Sequence, residues 1–128
     1  MEGKGRITGH TGLLALIGSP VGHSGSPAMY NYSFEKLGLD YAYVAFDIKV
    51  EEVKAALDAM RLFHMRGCNV TMPCKTEAAK YMDELSPAAR IIGAVNTIVN
   101  EDGKLIGHMT DGEGFVGNLR DHGIEIKG

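Results

Sequence analysis

Ser24 and Ser26 stand directly before a stretch opened by Pro27, and serine hydroxyls at a helix start, with the neighbouring main-chain N–H groups, can jointly donate to an anion such as a carboxylate. A plainer use competes, because Ser-Pro is a common helix start in which the hydroxyl only caps. The second cluster is Asn69-Val70-Thr71-Met72-Pro73-Cys74-Lys75. Lys75 falls just inside a helix start, where the positive end of the helix dipole disfavours a cation. It is either a solvated lysine or an amine in a partly closed site, with a lowered pKa, that shuttles a proton. Asp111, in the pair Thr110-Asp111, is a carboxylate that could hold such a lysine in position, or else the cap of a following helix. Asn96 could equally be a satisfied polar residue within a strand. His23 is read as a packed or solvated histidine.

These residues need elements to bring them together. Leu13-Leu14-Ala15-Leu16-Ile17-Gly18 is a short apolar run ending in glycine, the pattern of a strand buried on both faces. Ser26-Pro27 through Leu37-Gly38 is a helix with serine as N-cap, proline at the first position and glycine at its end. Tyr41 to Phe46 is a strand, followed by a helix carrying Val53, Ala56, Leu57, Met60 and Leu62-Phe63. Gly67 to Thr71 is a third strand, and Pro73 starts another helix whose Ala78, Ala79 and Met82 face a core. Ser86-Pro87 caps a short helix ending near Gly93. Ala94 to Val99 and Lys104 to Met109 then form a hairpin around Asn100-Glu101-Asp102-Gly103, and a last helix carries Phe115, Val116 and Leu119 to Gly123. Alternating strands and helices predict an α/β protein, a three-layer αβα sandwich on a mixed, mainly parallel sheet of about six strands. In such sheets ligands gather at the carboxyl ends of strands, where the three polar clusters fall.

The chain has 128 residues, 45% hydrophobic and 23% charged, which suits one globular domain. No apolar run approaches the roughly 20 residues of a membrane span, and no signal h-region is present, so a cytoplasmic protein without a membrane partner is expected. A net charge of -3 gives no electrostatic reason for a nucleic-acid partner. Cys68 and Cys74 have no second pair, so they are read as reduced thiols and no metal is expected. Gly112-Glu113-Gly114 is not a dinucleotide loop, since no full GxGxxG follows a strand.

Four ordered motifs carry a resemblance across most of the chain: Leu16-Ile17-Gly18-Ser19-Pro20-Val21-Gly22-His23-Ser24-Gly25-Ser26-Pro27, Gly67 through Lys75, Ile92-Gly93-Ala94-Val95-Asn96-Thr97, and Gly107 with Thr110-Asp111-Gly112. Together they resemble the N-terminal, substrate-binding domain of the shikimate dehydrogenase family, which includes quinate/shikimate dehydrogenases. The resemblance implies that Ser24 and Ser26 bind the shikimate carboxylate and that Asn69, Thr71, Asn96 and Thr110 contact the ring and its hydroxyls. Lys75 and Asp111 would be the catalytic pair, with the choice of proton acceptor between them open. It further implies an NADP-dependent oxidoreductase of aromatic amino-acid (chorismate) biosynthesis, NAD serving in some members, that interconverts shikimate and 3-dehydroshikimate. Cofactor would come from a second, Rossmann-type domain absent from this chain, so residues 1–128 alone are expected to be inert; a homodimer is an assembly the resemblance allows. Departures from the family pattern are Met109, where asparagine is common, and Gly25. The alternatives from other classes are a free-standing module that captures a cyclic polyhydroxy acid and a structural α/β domain whose motifs serve only as caps and turns.

Overall fold

The structure, a computed structural model, describes residues 5–110. Its strands are β1 (Gly12–Gly18), β2 (Tyr41–Asp47), β3 (Gly67–Val70), β4 (Glu84–Leu85), β5 (Thr97–Glu101) and β6 (Lys104–His108), and its helices are α1 (Ser26–Leu37), α2 (Val53–Leu62), α3 (Lys75–Ala79) and α4 (Pro87–Ile92). One six-stranded sheet has the order β2-β1-β3-β5-β6-β4. The pairs β1/β2, β1/β3 and β4/β6 are parallel, whereas β3/β5 and β5/β6 are antiparallel. The expected mixed, mainly parallel sheet is therefore present.

β1 explains the layers. Successive side chains of a strand point to opposite faces, and this strand is apolar on both. Leu14 and Leu16 join Val21, Tyr30 and Phe34 of the α1 layer and Tyr43 of β2, while Ala15 and Ile17 join Val53, Leu57 and Met60 of α2, Ala78 of α3 and Ala89 of α4. The α1 layer is aromatic, with Tyr30 stacked on Tyr43 at 4.7 Å between ring centroids. The opposite layer is aliphatic.

The local signals were followed unevenly. α4 is capped as expected, the Ser86 hydroxyl accepting from Ala89 N at 3.2 Å, and it ends at the left-handed Gly93. The hairpin turn narrows to Asp102-Gly103, both at positive φ (53° and 94°), the pairing a two-residue turn requires. Asn100 and Glu101 therefore lie in β5 rather than in the turn. Three expectations need correction. Ser26 is already the first residue of α1 and its hydroxyl caps nothing; Ser24 Oγ instead accepts from Ser26 N at 3.1 Å. Pro73 does not open a helix: the Met72-Pro73 peptide is cis and α3 begins at Lys75, leaving Met82 beyond its end although still packed on the core. Ala94 to Asn96 precede the strand, because the chain bends at Asn96 before β5 begins. The short edge strand β4 was not foreseen. The helix expected at Phe115 to Gly123 lies outside the described residues, as does Asp111.

Candidate functional site

β1 and β3 run side by side in the same direction, so the loops after them emerge at one end of the sheet. The two loops are joined where Ser19 N donates to Met72 O at 3.0 Å, and each contains a cis X-Pro bond, Ser19-Pro20 and Met72-Pro73. Gly18 makes that junction sterically feasible. A Cβ there would sit 2.3 Å from Thr71 Cγ2, and its φ of 151° is one that side chains rarely adopt.

What the junction creates is a hollow of about 300 Å³ lined by Leu16, Pro20, Val21, His23, Ser24, Ser26 and Thr71. Three of the residues expected at the site therefore share one cavity, at the amino end of α1. Because the Ser24 oxygen already accepts from Ser26 N, its own proton is available to donate into that space. Gly25 is not demanded by sterics: nothing stands within 4 Å of where its Cβ would be.

Asn69, Asn96 and Thr110 form a second group, linked by hydrogen bonds. Asn96 Nδ2 donates to Thr110 O at 2.8 Å, while Asn96 Oδ1 accepts from Thr110 N at 3.0 Å and from Thr110 Oγ1 at 3.2 Å. Asn69 Nδ2 lies 3.5 Å from Asn96 O and 3.4 Å from Thr97 Oγ1. Lys75 is half-buried at the first position of α3, and its carbonyl accepts from Val95 N at 3.1 Å, which sets its backbone beside the segment carrying Asn96. Among the described residues no carboxylate forms an ion pair with Lys75; its expected partner, Asp111, lies outside them. Met109 packs against the aliphatic core.

Tyr43, absent from the residues singled out in the sequence, ties this second group to the α1 layer. Its phenol donates to Asn69 Oδ1 at 2.8 Å while its ring stacks on Tyr30. Burial, and then neighbouring Tyr30 and Cys68, push its pKa well above the usual tyrosine range, so it remains a protonated donor. The signal for it was slight: in β2, Tyr41, Tyr43 and Ala45 share the face toward α1, and a buried tyrosine seeks a partner for its hydroxyl. Cys68 and Cys74 are free thiols, and burial pushes the Cys68 thiol up to about 12, which makes it inert. Among the described residues no group of His, Cys, Asp and Glu is arranged to hold a metal ion, and no helix is long and apolar enough to cross a membrane.

The fold and this end of the sheet define an α/β substrate-binding domain with a hydroxyl- and amide-lined site. The family model described as the shikimate dehydrogenase substrate binding domain matches residues 16–98, and the chain belongs to that family. It is 53% identical over 123 residues to shikimate dehydrogenase (NADP(+)) of Listeria monocytogenes, covering 96% of this chain but 42% of that protein. It is 52% identical over 124 residues to the Streptococcus uberis protein of the same name, covering 95% of this chain and 42% of that one. The chain thus spans about two fifths of the length of these relatives. Among solved structures, the Listeria monocytogenes shikimate 5-dehydrogenase in complex with shikimate and NAD matches with a TM-score of 0.82 at 52% identity, covering 94% of this chain and 42% of that one. A 5-ketofructose reductase of Gluconobacter sp. strain CHM43 matches with a TM-score of 0.79 at 31% identity, covering 89% of this chain and 41% of that one.

Proposed function

We propose that this chain is the part of a shikimate dehydrogenase that binds the substrate and moves its proton, in a protein that interconverts shikimate and 3-dehydroshikimate. The observation that carries the proposal is the meeting of the β1 and β3 loops: Ser24, Ser26 and Thr71 line one hollow, and Tyr43, stacked on Tyr30 of α1, donates to Asn69 of the Asn69–Asn96–Thr110 group. A small anion with three hydroxyls calls for hydroxyl and amide partners rather than a large apolar cavity. Ser24 and Ser26 hold its carboxylate at the positive end of α1, and Thr71, Asn69, Asn96 and Thr110 serve its ring hydroxyls. Lys75 takes the proton of the hydroxyl that becomes the ketone and returns it in reverse, with Asp111 holding the lysine in place.

NADP, or NAD, accepts the hydride. The lack of a full GxGxxG after a strand supports placing the dinucleotide in the portion by which the relatives exceed this chain. The likeness to a 5-ketofructose reductase supports a second substrate class for this fold, a sugar without a carboxylate. The paired serine donors favour the acid.

Isothermal titration of the chain with shikimate tests the binding half of the proposal. The expected result is a binding heat that Ser24→Ala or Ser26→Ala reduces by about tenfold in affinity, the worth of one hydrogen bond to a charged group. Absence of any heat with shikimate, 3-dehydroshikimate and quinate alike rejects it. In the protein extended by its cofactor-binding portion, Lys75→Ala should abolish turnover while leaving shikimate affinity within a few-fold, and turnover surviving intact removes Lys75 from the chemistry.

A further inference from the structure

We infer that Thr97 is a positioning residue that carries the fixed orientation of Asn96 across to Asn69 and so sets the direction in which the Asn69 amide offers its hydrogen bonds. The inference rests on the reading of this end of the sheet as the place where a polyhydroxylated cyclic acid binds. Thr97 is 1% exposed, so the sheet encloses its hydroxyl almost completely. Enclosure of a hydroxyl is unfavourable unless both its donor and its acceptor roles are used.

Both are used, each on a different asparagine. Thr97 is the first residue of β5 and lies directly opposite Asn69 of β3. Thr97 Oγ1 donates to Asn96 Oδ1 at 3.1 Å and accepts from Asn69 Nδ2 at 3.4 Å. A threonine hydroxyl has one proton, so giving it to Asn96 Oδ1 obliges Thr97 to act toward Asn69 only as an acceptor. Asn69 must then turn its NH2 group toward β5 and its oxygen toward the Tyr43 phenol, which donates to it at 2.8 Å. Asn96 is locked in the complementary sense, because its oxygen is the common acceptor for Thr97 Oγ1, Thr110 N and Thr110 Oγ1 while its nitrogen donates to Thr110 O. Turning Asn96 over would set its NH2 against Thr110 N–H, and turning Asn69 over would set its oxygen against the Asn96 carbonyl.

The consequence is specific to the site. The Asn69 NH2 contacts, 3.4 and 3.5 Å, are long, so a ligand oxygen arriving at ordinary distance takes over a donor that is already aimed. A site whose amides present N–H groups selects oxygen acceptors, hydroxyl or keto, and binds without the cost of choosing among amide orientations. Deleting the Thr97 hydroxyl loosens the Asn69 amide, which loses the nearer of its two acceptors, while Asn96 stays clamped by Thr110.

The test is titration of the chain with shikimate, using Thr97→Val, Thr97→Ser and the pair of variants with Asn69→Ala. Valine keeps the shape and loses the hydroxyl; its expected effect is an affinity lower by about tenfold, whereas serine restores the hydroxyl and should fall within about threefold of the parent. In the Asn69→Ala background the valine substitution should add little, because a residue acting through Asn69 loses most of its leverage when Asn69 is gone. If the valine variant does not fold, Thr97→Ala makes the same deletion with less bulk. An affinity unchanged in the valine variant, or full additivity with Asn69→Ala, overturns the positioning role while leaving the site intact. If the parent chain itself binds no shikimate, the functional reading fails first and the inference falls with it.

Discussion

Two polar clusters sit at opposite ends of the same strand, and both are built around an asparagine. Asn96, just before β5, lies at the end of the sheet where β1 and β3 finish. Asn100 lies near the other end of β5. Its Nδ2 donates to Met65 O at 2.8 Å and to Met60 O at 3.4 Å, and its Oδ1 accepts from Gly103 N at 2.8 Å, so every bond it makes ends on main chain. Arg61 Nε reaches Gly103 O at 2.8 Å and Asp83 Oδ2 accepts from Leu105 N at 2.7 Å, extending the same habit. The Asn96 cluster also holds main chain, at Thr110, but it continues through side chains, from Thr97 to Asn69 to Tyr43. Apart from the Arg61–Asp83 pair at 3.1 Å, the Asn100 end terminates on peptide groups, whereas the Asn96 end is rich in side-chain donors whose bonds a ligand could exchange.

The comparison is broken or sharpened by deleting each asparagine in turn. Asn100→Ala removes the partners of Met65 O and Gly103 N beside the tight turn, and should cost about 2–3 kcal/mol, since each such group left without a partner is worth roughly 1–3 kcal/mol. Thermal melting would register that loss while shikimate affinity stays unchanged; a drop in affinity would mean that the two ends are not separable. Asn96→Ala should show the reverse balance. Loss of the Thr110 clamp at the chain surface costs about 1–2 kcal/mol, but affinity should fall at least about tenfold as the site loses the Asn96 amide and Thr97 loses the acceptor that fixes its proton. Equal affinities for parent and variant would assign the Asn96 cluster to folding alone.

How far the sequence disclosed these clusters follows from how far apart their members lie. The Ser86-Pro87 and Gly93 signals located α4 because capping is settled within a few residues. The same dipeptide at Ser26-Pro27 located α1 but misassigned the hydroxyl, since in Ser24-Gly25-Ser26 only the folded loop decides which serine accepts an N–H. Ser24, Asn69, Thr71 and Lys75 were recognised from contiguous motifs, and the structure places their loops side by side. Tyr43 and Thr97 were not assigned roles, because they depend on register. Only the pairing of β5 with β3 sets Thr97 opposite Asn69, and only the pairing of β1 with both β2 and β3 carries Tyr43 within reach of it. The two-residue β4 is too short to show any period.

The smallest effect belongs to the structural end and depends on pH. The Asp83 carboxyl is held below the usual carboxylate range, first by the Leu105 N–H that it accepts and then by Arg61, whose NH2 group lies 3.1 Å away. A carboxyl whose pKa is depressed in the folded state adds stability that is present above its unfolded value and disappears as pH falls through the folded one. With the side chains of Arg61 and Asp83 34% and 45% exposed, solvent screens the charge and the increment is small. Asp83→Asn keeps an oxygen for Leu105 N but removes the charge, so its melting temperature should lie slightly below the parent's near neutral pH and converge with it in acid. Shikimate affinity should not differ between the two proteins at neutral pH, because no bond of Asp83 reaches the Asn96 cluster. Melting curves that stay parallel down to acid pH would show that shape alone, without charge, joins α2 to β6.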